Sequence, residues 1–357
     1  MELTLNEEIC KAYGFDSAAI TVQQIGSGHI NRTYLLSTLT DEKYILQNIN
    51  VSIFKNPNAI ATNIKAVANE LRQLNPEYLF PAPIATLNGD LMFNNKGEYW
   101  RLLPFVSNTI ALESLSLPKQ AYEAAKQFGK LSRLLTNFDA SRLTPTIPGF
   151  HNLSWRYEQF SEALNQTSTT LKGKAQHEIE VALRHHFIVD YYHSYENRKD
   201  LPNRVMHHDT KISNVLLDEV DYHGVCVIDL DTLMPGKFIS DLGDMMRTYL
   251  CAFSENEKDL EKIKIRIPYF KATIEGYLSE MGRILTETEK ELILFAGKYI
   301  IYMQALRFLT DYLNGSIYYP IHYADQNLDR AKNQFKLLSE IFENEKILQD
   351  IIEEYLS

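Results

Sequence analysis

The chain has few cysteines and no long uninterrupted apolar run. Its three cysteines, Cys10, Cys226 and Cys251, are odd in number, far apart and without the spacing of a metal site. This usage does not suit a disulfide-stapled secreted domain, so a reducing cytoplasm is the expected location. The most apolar long stretch, residues 292–309, still contains charged side chains. It predicts a buried helix there and not a membrane span.

Basic residues are also in deficit. The 357 residues include 36 Lys and Arg against 46 Asp and Glu, which gives a formal net charge of −10. Because phosphate backbones select for clustered Lys and Arg, a nucleic-acid partner is not expected. A single nucleotide such as ATP needs only a few local cations and backbone amides. The acidic N-terminal residues 1–8 lack the apolar core of a secretory signal, and no membrane association is expected.

Apolar side chains make up 45% of the chain and charged ones 23%, which is ordinary for a soluble globular protein with a substantial core. The expected fold class is α+β with two lobes. A small β-rich N-lobe is expected over residues 1–104, and a larger, mainly helical C-lobe over residues 105–357. Within the first lobe one helix is predicted from about residue 56 to 74, and strands are predicted at residues 21–25, 32–38, 43–50, 90–93 and 99–103.

Residues 207–214, His-His-Asp-Thr-Lys-Ile-Ser-Asn, carry the most informative spacing. Asp209, Lys211 and Asn214 follow the order of a protein kinase catalytic loop, and Asp229 ends a strand-like run further on. As a general base, Asp209 would contribute roughly 10²–10⁴-fold to the rate. Lys211 would offset charge beside the γ-phosphate, while Asn214 and Asp229 would supply oxygen ligands to Mg²⁺. The chain is therefore interpreted as an ATP-dependent kinase with a two-lobed, protein-kinase-like fold.

The polar residues around this loop allow other roles. Adjacent histidines, His207 and His208, point to opposite faces of an extended chain, so a shared metal site is disfavoured. His207 is expected to hold the loop by hydrogen bonds. Asp231 is expected on the strand face of Asp229, where it can join the metal site or bond to loop amides. Asp241 resembles an N-cap before a helix beginning at Met245 and is expected to brace the loop.

A glycine-rich segment joins the first two predicted strands. Gly26, Ser27 and Gly28 would let the backbone approach ATP phosphates and direct amide N–H groups at them. A plain hairpin turn is the commoner explanation of this pattern when it is taken alone. His29, at the tip of the loop, can contact phosphate or substrate, or be solvated.

The third predicted strand carries Gln47 where a kinase has the lysine that pairs with the phosphates. A neutral amide can donate a hydrogen bond to phosphate but supplies no charge. Either other cations compensate for the missing lysine, or the departure counts against catalysis. Glu70 is a candidate for the helix acid that partners this lysine in kinases, although exposed helical glutamates are usually solvated.

Near the C-terminal end, Arg307 lies in a strongly apolar stretch, and a turn leads from it to Tyr318 and Tyr319. Sugar-binding clefts combine an arginine or carboxylate for hydroxyl groups with aromatic faces for the ring. The alternative is that Arg307 and Asp311, four residues apart, form a pair on a helix surface.

Together these segments resemble the aminoglycoside phosphotransferase and choline kinase superfamily, and within it the N-acetylhexosamine 1-kinases. The resemblance covers residues 25–337. It implies ATP and Mg²⁺, with a small-molecule sugar as acceptor. The substrate residues that it implies are His29, Asp209, Arg307 and Tyr318, and the metal ligands are Asn214 and Asp229. Gln also stands at the position of Gln47 in that group.

Two alternatives stay open beside an N-acetylhexosamine kinase. One is a kinase of another small alcohol, such as choline, homoserine, an aminoglycoside or a thiosugar. The other, prompted by Gln47, is a protein that binds nucleotide without catalysis. The oligomeric state and the preferred N-acetyl sugar do not follow from the sequence.

Overall fold

A computed structural model describes residues 7–25 and 30–357. The strands of its N-terminal region form one antiparallel sheet in the order β1-β2-β3-β5-β4. Helix α1 precedes β1, and helix α2 lies between β3 and β4. The bounds are α1 (Glu7–Ala12), β1 (Ile20–Gln24), β2 (Arg32–Thr38), β3 (Lys43–Ile49), α2 (Pro57–Leu74), β4 (Phe93–Asn95) and β5 (Glu98–Pro104).

The two faces of this sheet differ in chemistry. On one face Tyr34, Leu46 and Leu102 stack across β2, β3 and β5 into a small core. Because side chains alternate along a strand, the neighbouring residues point to the other face. There the pairing register sets Gln47 of β3 opposite Arg101 of β5. A polar pair therefore lies on the face of the sheet away from its small core.

The remaining chain is mainly helical, and the short strands within it make two small sheets, in the orders β6-β8-β9 and β10-β7. The strands are β6 (Thr109–Ala111), β7 (Arg204–Met206), β8 (Val215–Asp218), β9 (Gly224–Val227) and β10 (Met234–Gly236). The helices are α3 (Pro118–Leu134), α4 (Leu153–Gln166), α5 (Thr169–Lys174), α6 (Gln176–Arg184), α7 (Phe187–Tyr195), α8 (Phe238–Tyr249), α9 (Ile267–Met281), α10 (Glu287–Glu291), α11 (Ile293–Leu313), α12 (Gln326–Glu343) and α13 (Glu345–Leu356).

This arrangement confirms the predicted α+β fold class, with a sheet at the N-terminal end and helices at the C-terminal end. The apolar stretch predicted as a buried helix is α11, which is buried along nearly its whole length. Within the residues described, no helix is long and apolar enough to cross a membrane. The lobe boundary between residues 104 and 105 stays a prediction.

Two glycines allow close helix packing in the helical region. A Cβ added at Gly243 of α8 would lie 2.2 Å from the carbonyl oxygen of Ala296 in α11. A Cβ added at Gly276 of α9 would lie 2.2 Å from the carbonyl oxygen of Tyr122 in α3. At both crossings the backbones touch because glycine has no side chain, so α8 and α9 are held tightly against the rest of the helical core.

Candidate active site

The residues predicted to act on phosphate meet in the loop between β7 and β8. Lys211 Nζ lies 3.1 Å from Asp209 Oδ2. The Asn214 side-chain nitrogen donates to the Asp209 carbonyl oxygen at 2.9 Å and to Asp209 Oδ2 at 3.0 Å. With its nitrogen turned to Asp209, the Asn214 amide directs its oxygen, the atom suited to a metal, away from that carboxylate.

The charges around Asp209 suit a proton acceptor. Burial is the largest single influence on this carboxyl group and opposes its ionisation. Lys211, His207 and Arg247 together outweigh burial, and the pKa of Asp209 is lowered from its usual value. Burial likewise opposes the charge on Lys211, while Asp209 and Asp229 favour it, so the pKa of Lys211 is raised. At neutral pH the site therefore holds a carboxylate beside an ammonium.

Asp229 sits beside this pair in an unusual backbone conformation. Its φ is +59°, in the left-handed region that non-glycine residues rarely adopt and that clusters at functional sites. The Ile228 N–H donates to the Asn214 carbonyl oxygen at 2.9 Å, which ties the two segments together. Burial, and then the carboxylates of Asp231 and Asp209, raise the pKa of Asp229 to about 7. Crowded oxygen ligands of this kind fit a hard divalent cation such as Mg²⁺.

The first turns of helix α8 hold the predicted catalytic loop, residues 207–214, at its N-terminal end. The Asp241 carboxylate accepts the backbone N–H groups of His207 at 2.9 Å and of His208 at 2.7 Å. The Asp244 carboxylate accepts the Thr210 N–H at 2.8 Å. The predicted bracing by Asp241 is confirmed, but its predicted place as an N-cap before Met245 is wrong. The helix already begins at Phe238, so Asp241 lies inside its first turn.

The two histidines, His207 and His208, contact different parts of the structure. His207 donates through Nε2 to the Ile228 carbonyl oxygen at 2.9 Å, and its Nδ1 accepts the Asp209 N–H at 3.3 Å. This confirms the predicted role of His207 in holding the loop. His208 turns the other way, and its Nδ1 lies 2.6 Å from Ser240 Oγ, which also contacts His151 Nδ1 at 2.5 Å.

The sequence predicted that Asp231 lies on one strand with Asp229, and this prediction is wrong. Strand β9 ends at Val227, and Asp231 lies in a short 3₁₀ turn over residues 230–232. There it is buried and forms an ion pair with Arg101 of β5. Its second oxygen accepts the side-chain N–H of Asn31 at 2.6 Å. Asp231 thus links the turn that carries Asp229 to the N-terminal sheet.

Gln47 is also bound by this arginine. The Arg101 guanidinium donates to Gln47 Oε1 through Nε at 2.9 Å and through Nη2 at 2.7 Å. The candidate helix acid, Glu70, lies elsewhere, with its carboxylate 3.9 Å from Arg142 in a partly exposed pair. The suggestion that Glu70 is the helix acid of this site is therefore wrong. The cation beside Gln47 is Arg101 of β5, and the acid paired with that cation is Asp231 of the 3₁₀ turn.

Arg307 lies close to the catalytic loop. Its guanidinium stands over the ring of Phe150, 5.2 Å from the centroid, and 5.6 Å from that of Tyr319. Phe150 in turn makes an edge contact with His208, the residue before Asp209, at 6.4 Å between centroids. One aromatic ring thus separates Arg307 from the loop that holds the predicted base.

The alternative role of Arg307, a surface pair with Asp311, is wrong. Asp311 is buried, and its two oxygens accept the backbone N–H groups of Ile317, Tyr318 and Tyr319 at 3.0, 2.8 and 3.0 Å. It therefore fixes the turn after α11. The Tyr318 side chain is 59% exposed and packs edge-on against Tyr319, which leaves it accessible to a ligand.

A second arginine that sequence reasoning missed stands beside Phe150. Arg156 donates to the Phe150 carbonyl oxygen at 3.2 Å and to Gln159 at 3.0 Å. Burial, and then the neighbouring charge of Arg307, lower the pKa of Arg156 to about 10. Neither guanidinium has an ion-pair partner among residues 7–25 and 30–357. The surroundings of Phe150 are therefore positively charged.

The glycine-rich segment is outside this description. Gly26, Ser27, Gly28 and His29 fall between the described residues, so their predicted contacts with ATP and sugar stay predictions. Arg101 and Asn31 were missed as site residues because their roles depend on strand register and on a contact 200 residues away in sequence. Of these two residues, only Asn31 had a signal in the sequence, since it comes three residues after Gly28 in the glycine-rich motif.

Comparisons with known proteins bear on the family and the fold. A profile described as the phosphotransferase enzyme family matches residues 21–261, about two-thirds of the chain. A spectinomycin phosphotransferase solved with ADP and spectinomycin is 16% identical with a TM-score of 0.57, and 99% of this chain and 98% of that chain are covered. An amicoumacin kinase solved with AMP-PNP and Ca²⁺ is 14% identical with a TM-score of 0.61, covering 94% and 92%.

A choline kinase from Cryptosporidium parvum is 16% identical with a TM-score of 0.56, and 96% of this chain and 97% of that chain are covered. At these identities the structural likeness shows the fold. It extends over nearly the full length of the chain, which agrees with a two-lobed, protein-kinase-like architecture.

Proposed function

Because the chain belongs to the phosphotransferase enzyme family, we propose that it is an ATP-dependent N-acetylhexosamine 1-kinase. It would phosphorylate the anomeric hydroxyl of GlcNAc or GalNAc and release the sugar 1-phosphate and ADP. The observation that carries this proposal is the contact of Asp209 with Lys211 and Asn214, with Asp229 alongside. The choice of sugar rests on the resemblance of residues 25–337 to that group.

In the proposed reaction the Asp209 carboxylate accepts the proton of the anomeric hydroxyl. The sugar oxygen forms a bond to the γ-phosphorus of ATP, and the bond from that phosphorus to the bridging oxygen of ADP breaks. An anomeric hydroxyl is more acidic than an ordinary alcohol, and a loose transition state needs little activation of its nucleophile. Asp209 is therefore a sufficient base, and Lys211 offsets the charge of the transferred group.

Asn214 and Asp229 are the proposed ligands of Mg²⁺. The fit is supported by the raised pKa of Asp229, which burial and the neighbouring carboxylates of Asp231 and Asp209 produce and which a bound cation would reverse. The metal, when bound, would neutralise phosphate charge during transfer. Asn214 supplies a neutral oxygen whose direction is set by its bonds to Asp209.

The nucleotide is proposed to lie between the regions of residues 1–104 and 105–357. Gly26, Ser27 and Gly28 would contact the phosphates through their backbone amides, and Gln47 through its side-chain amide. A cytoplasmic location belongs to the same proposal, since ATP is consumed and the cysteines, of which Cys10 and Cys226 are buried, are all free.

On the acceptor side we assign His29, Arg307 and Tyr318 to the sugar. Arg307 can donate to hydroxyl or carbonyl oxygens, and Tyr318 offers an exposed aromatic face. The positive surroundings of Phe150, with Arg156 beside Arg307, oppose a cationic acceptor. Choline and aminoglycosides carry positive charge and would be repelled there, whereas a neutral N-acetyl sugar would not.

Release of ADP by the purified protein with ATP and Mg²⁺ tests the proposal. The acceptors are GlcNAc, GalNAc, glucose, galactose, choline, homoserine and kanamycin, and phosphorus NMR identifies the product. We expect turnover with the N-acetyl sugars and an anomeric phosphate signal. Turnover confined to choline, homoserine or kanamycin would overturn the assignment of the acceptor.

A further inference from the structure

Strand β3 lacks the lysine that supplies positive charge to the nucleotide phosphates in protein kinases. In kinases that lysine contacts the phosphates and pairs with an acid on a helix of the same lobe. Here Gln47 takes the position of the lysine, and Glu70, the candidate for the acid, lies 3.9 Å from Arg142 instead. We propose that Arg101 replaces that lysine as the cation of the nucleotide site and acts as a positioning residue, holding Gln47 toward the phosphates and binding Asp231. This inference rests on the proposed use of ATP.

The geometry of Arg101 is specific. The residue is 1% exposed, so its charge is almost wholly removed from water. Two of its N–H groups converge on Gln47 Oε1, at 2.9 and 2.7 Å, and a third reaches the Asp231 carboxylate, which is also buried. A planar guanidinium can serve two acceptors at once in fixed directions, which the single ammonium of lysine cannot.

Arg101 determines which end of the Gln47 amide faces the nucleotide. A guanidinium only donates, so the atom of Gln47 that it contacts must be the carbonyl oxygen. The amide nitrogen therefore points away from Arg101, and one of its N–H groups donates to Thr33 Oγ1 at 3.1 Å. The second N–H is left to donate to an anionic oxygen. Without Arg101, the amide could rotate and present its oxygen to phosphate, which would be repulsive.

The same network reaches Asn31, just before β2, and the turn that carries Asp229. Asp231 lies two residues after Asp229, and it accepts from both Arg101 and Asn31. Asn31 follows the glycines and also accepts the Asn50 N–H at 2.9 Å. A buried ion pair is weak evidence for added stability, since its desolvation cost offsets the attraction. The contacts of the Arg101–Asp231 pair with Gln47 and Asn31 are explained if the pair sets the geometry of these side chains and of the turn that carries Asp229.

The sharpest test restores the residue that kinases have. Gln47→Lys replaces the oxygen that accepts from Arg101 with an ammonium, so at this half-buried position a second cation would face the Arg101 guanidinium in place of an acceptor. We expect the Kd for the ATP analogue AMP-PNP with Mg²⁺, measured by calorimetry, to rise about tenfold or more, the equivalent of losing one charge-assisted hydrogen bond. Unchanged or tighter binding by Gln47→Lys would overturn the proposal.

Replacement of Arg101 provides the second arm. Arg101→Met removes the charge and all three donors, while Arg101→Lys keeps the charge but not the planar, forked donor geometry. We expect both to weaken AMP-PNP and ADP by about tenfold, with Arg101→Lys the milder, and to leave adenosine binding within about twofold. A purely structural role would weaken adenosine and nucleotides equally. KM for ATP should rise while KM for the acceptor stays the same.

Arg204→Met is the matched control. Arg204 is buried and donates to both oxygens of buried Glu289 at 2.8 and 2.7 Å, away from Gln47. It should lower thermal stability as Arg101→Met does but leave the Kd for AMP-PNP unchanged. If Arg101→Met does not fold, Gln47→Lys and Arg101→Lys still test whether Arg101 positions Gln47 for the nucleotide. Wild-type protein that binds no nucleotide would contradict the proposed function, whereas wild-type binding that these variants do not alter would contradict only the role of Arg101.

Discussion

Asp209 combines a lowered pKa with contacts to Lys211 and Asn214. Asp209→Asn keeps the size of the side chain but removes the proton acceptor. We expect kcat to fall by roughly 10²–10⁴-fold, as is usual for loss of a general base, with nucleotide affinity nearly unchanged. ADP release and calorimetry with AMP-PNP measure the two effects. Asp139→Asn, on an exposed turn, is the control and should behave as wild type. A fully active, folded Asp209→Asn would contradict the role of the base.

The raised pKa of Asp229 predicts that stabilisation of the fold by Mg²⁺ depends on pH. Its pKa is raised to about 7, by burial first and then by Asp231 and Asp209. The metal-free folded protein therefore holds this proton more tightly than the unfolded chain. The group contributes stability below about pH 4 that is lost as the pH rises through 7. Because Mg²⁺ competes with the proton, it should raise Tm more at about pH 8 than at about pH 5.

Thermal unfolding with and without Mg²⁺ at the two pH values measures this coupling, and Asp229→Asn should abolish most of it. The control Asp139→Asn should keep it, since that carboxylate is exposed on a surface turn. An equal rise in Tm at both pH values, or an undiminished rise in Asp229→Asn, would contradict metal binding at Asp229.

Among single residues, local spacing was sufficient to group Asp209, Lys211 and Asn214 in one loop, while their roles toward phosphate and metal stay predictions. Asp209, Lys211 and Asn214 lie within six residues, and one turn of chain brings them together. Arg101 and Asp231 were beyond such reasoning, because their contact joins a strand to a turn 130 residues later. A run of residues indicates which side chains are neighbours along the chain, but not which strand lies beside it.

At the scale of helices, glycines make the α3–α9 contact possible. Gly276→Ala would force a methyl group against the Tyr122 carbonyl oxygen, 2.2 Å from its ideal position. We expect a loss of about 1–3 kcal/mol in the free energy of unfolding, the usual cost of overpacking. Gly173→Ala in α5 meets nothing within 4 Å and should be neutral or stabilise by up to about 1 kcal/mol. Urea denaturation measures both.

The opposite order, with Gly276→Ala as stable as wild type and Gly173→Ala destabilised, would contradict the packing described for α3 and α9. Because both changes are Gly→Ala within helices, the intrinsic helix preference is the same and cancels between them. The difference then reports the close approach of the two backbones.

The sequence predicted some elements well and misplaced others for identifiable reasons. β2 lies where expected, because alternation and turn residues mark both its ends. The start of α8 was missed by several residues. Its N-cap position, Lys237, has no side-chain cap, and Asp241 has the appearance of a cap. In the fold Asp241 is turned to the catalytic loop, a tertiary contact that local patterns do not indicate.

In the whole molecule, the N-terminal region is held to the catalytic turns by buried polar contacts. Asp231 binds Arg101 and Asn31, and the Asn63 side chain in α2 donates to the Leu233 carbonyl oxygen at 2.9 Å. The order of strands and helices predicted two lobes. The way in which they meet was not predictable, because it depends on single side chains far apart in sequence.

The most direct test of the central claim compares GlcNAc with its methyl glycoside, in which the anomeric hydroxyl is blocked. ADP release is followed with ATP and Mg²⁺, and choline serves as the cationic acceptor. We expect rapid release with GlcNAc, none above background with the methyl glycoside, and none with choline. Equal release with GlcNAc and its methyl glycoside, or release with choline alone, would contradict phosphorylation at the anomeric position.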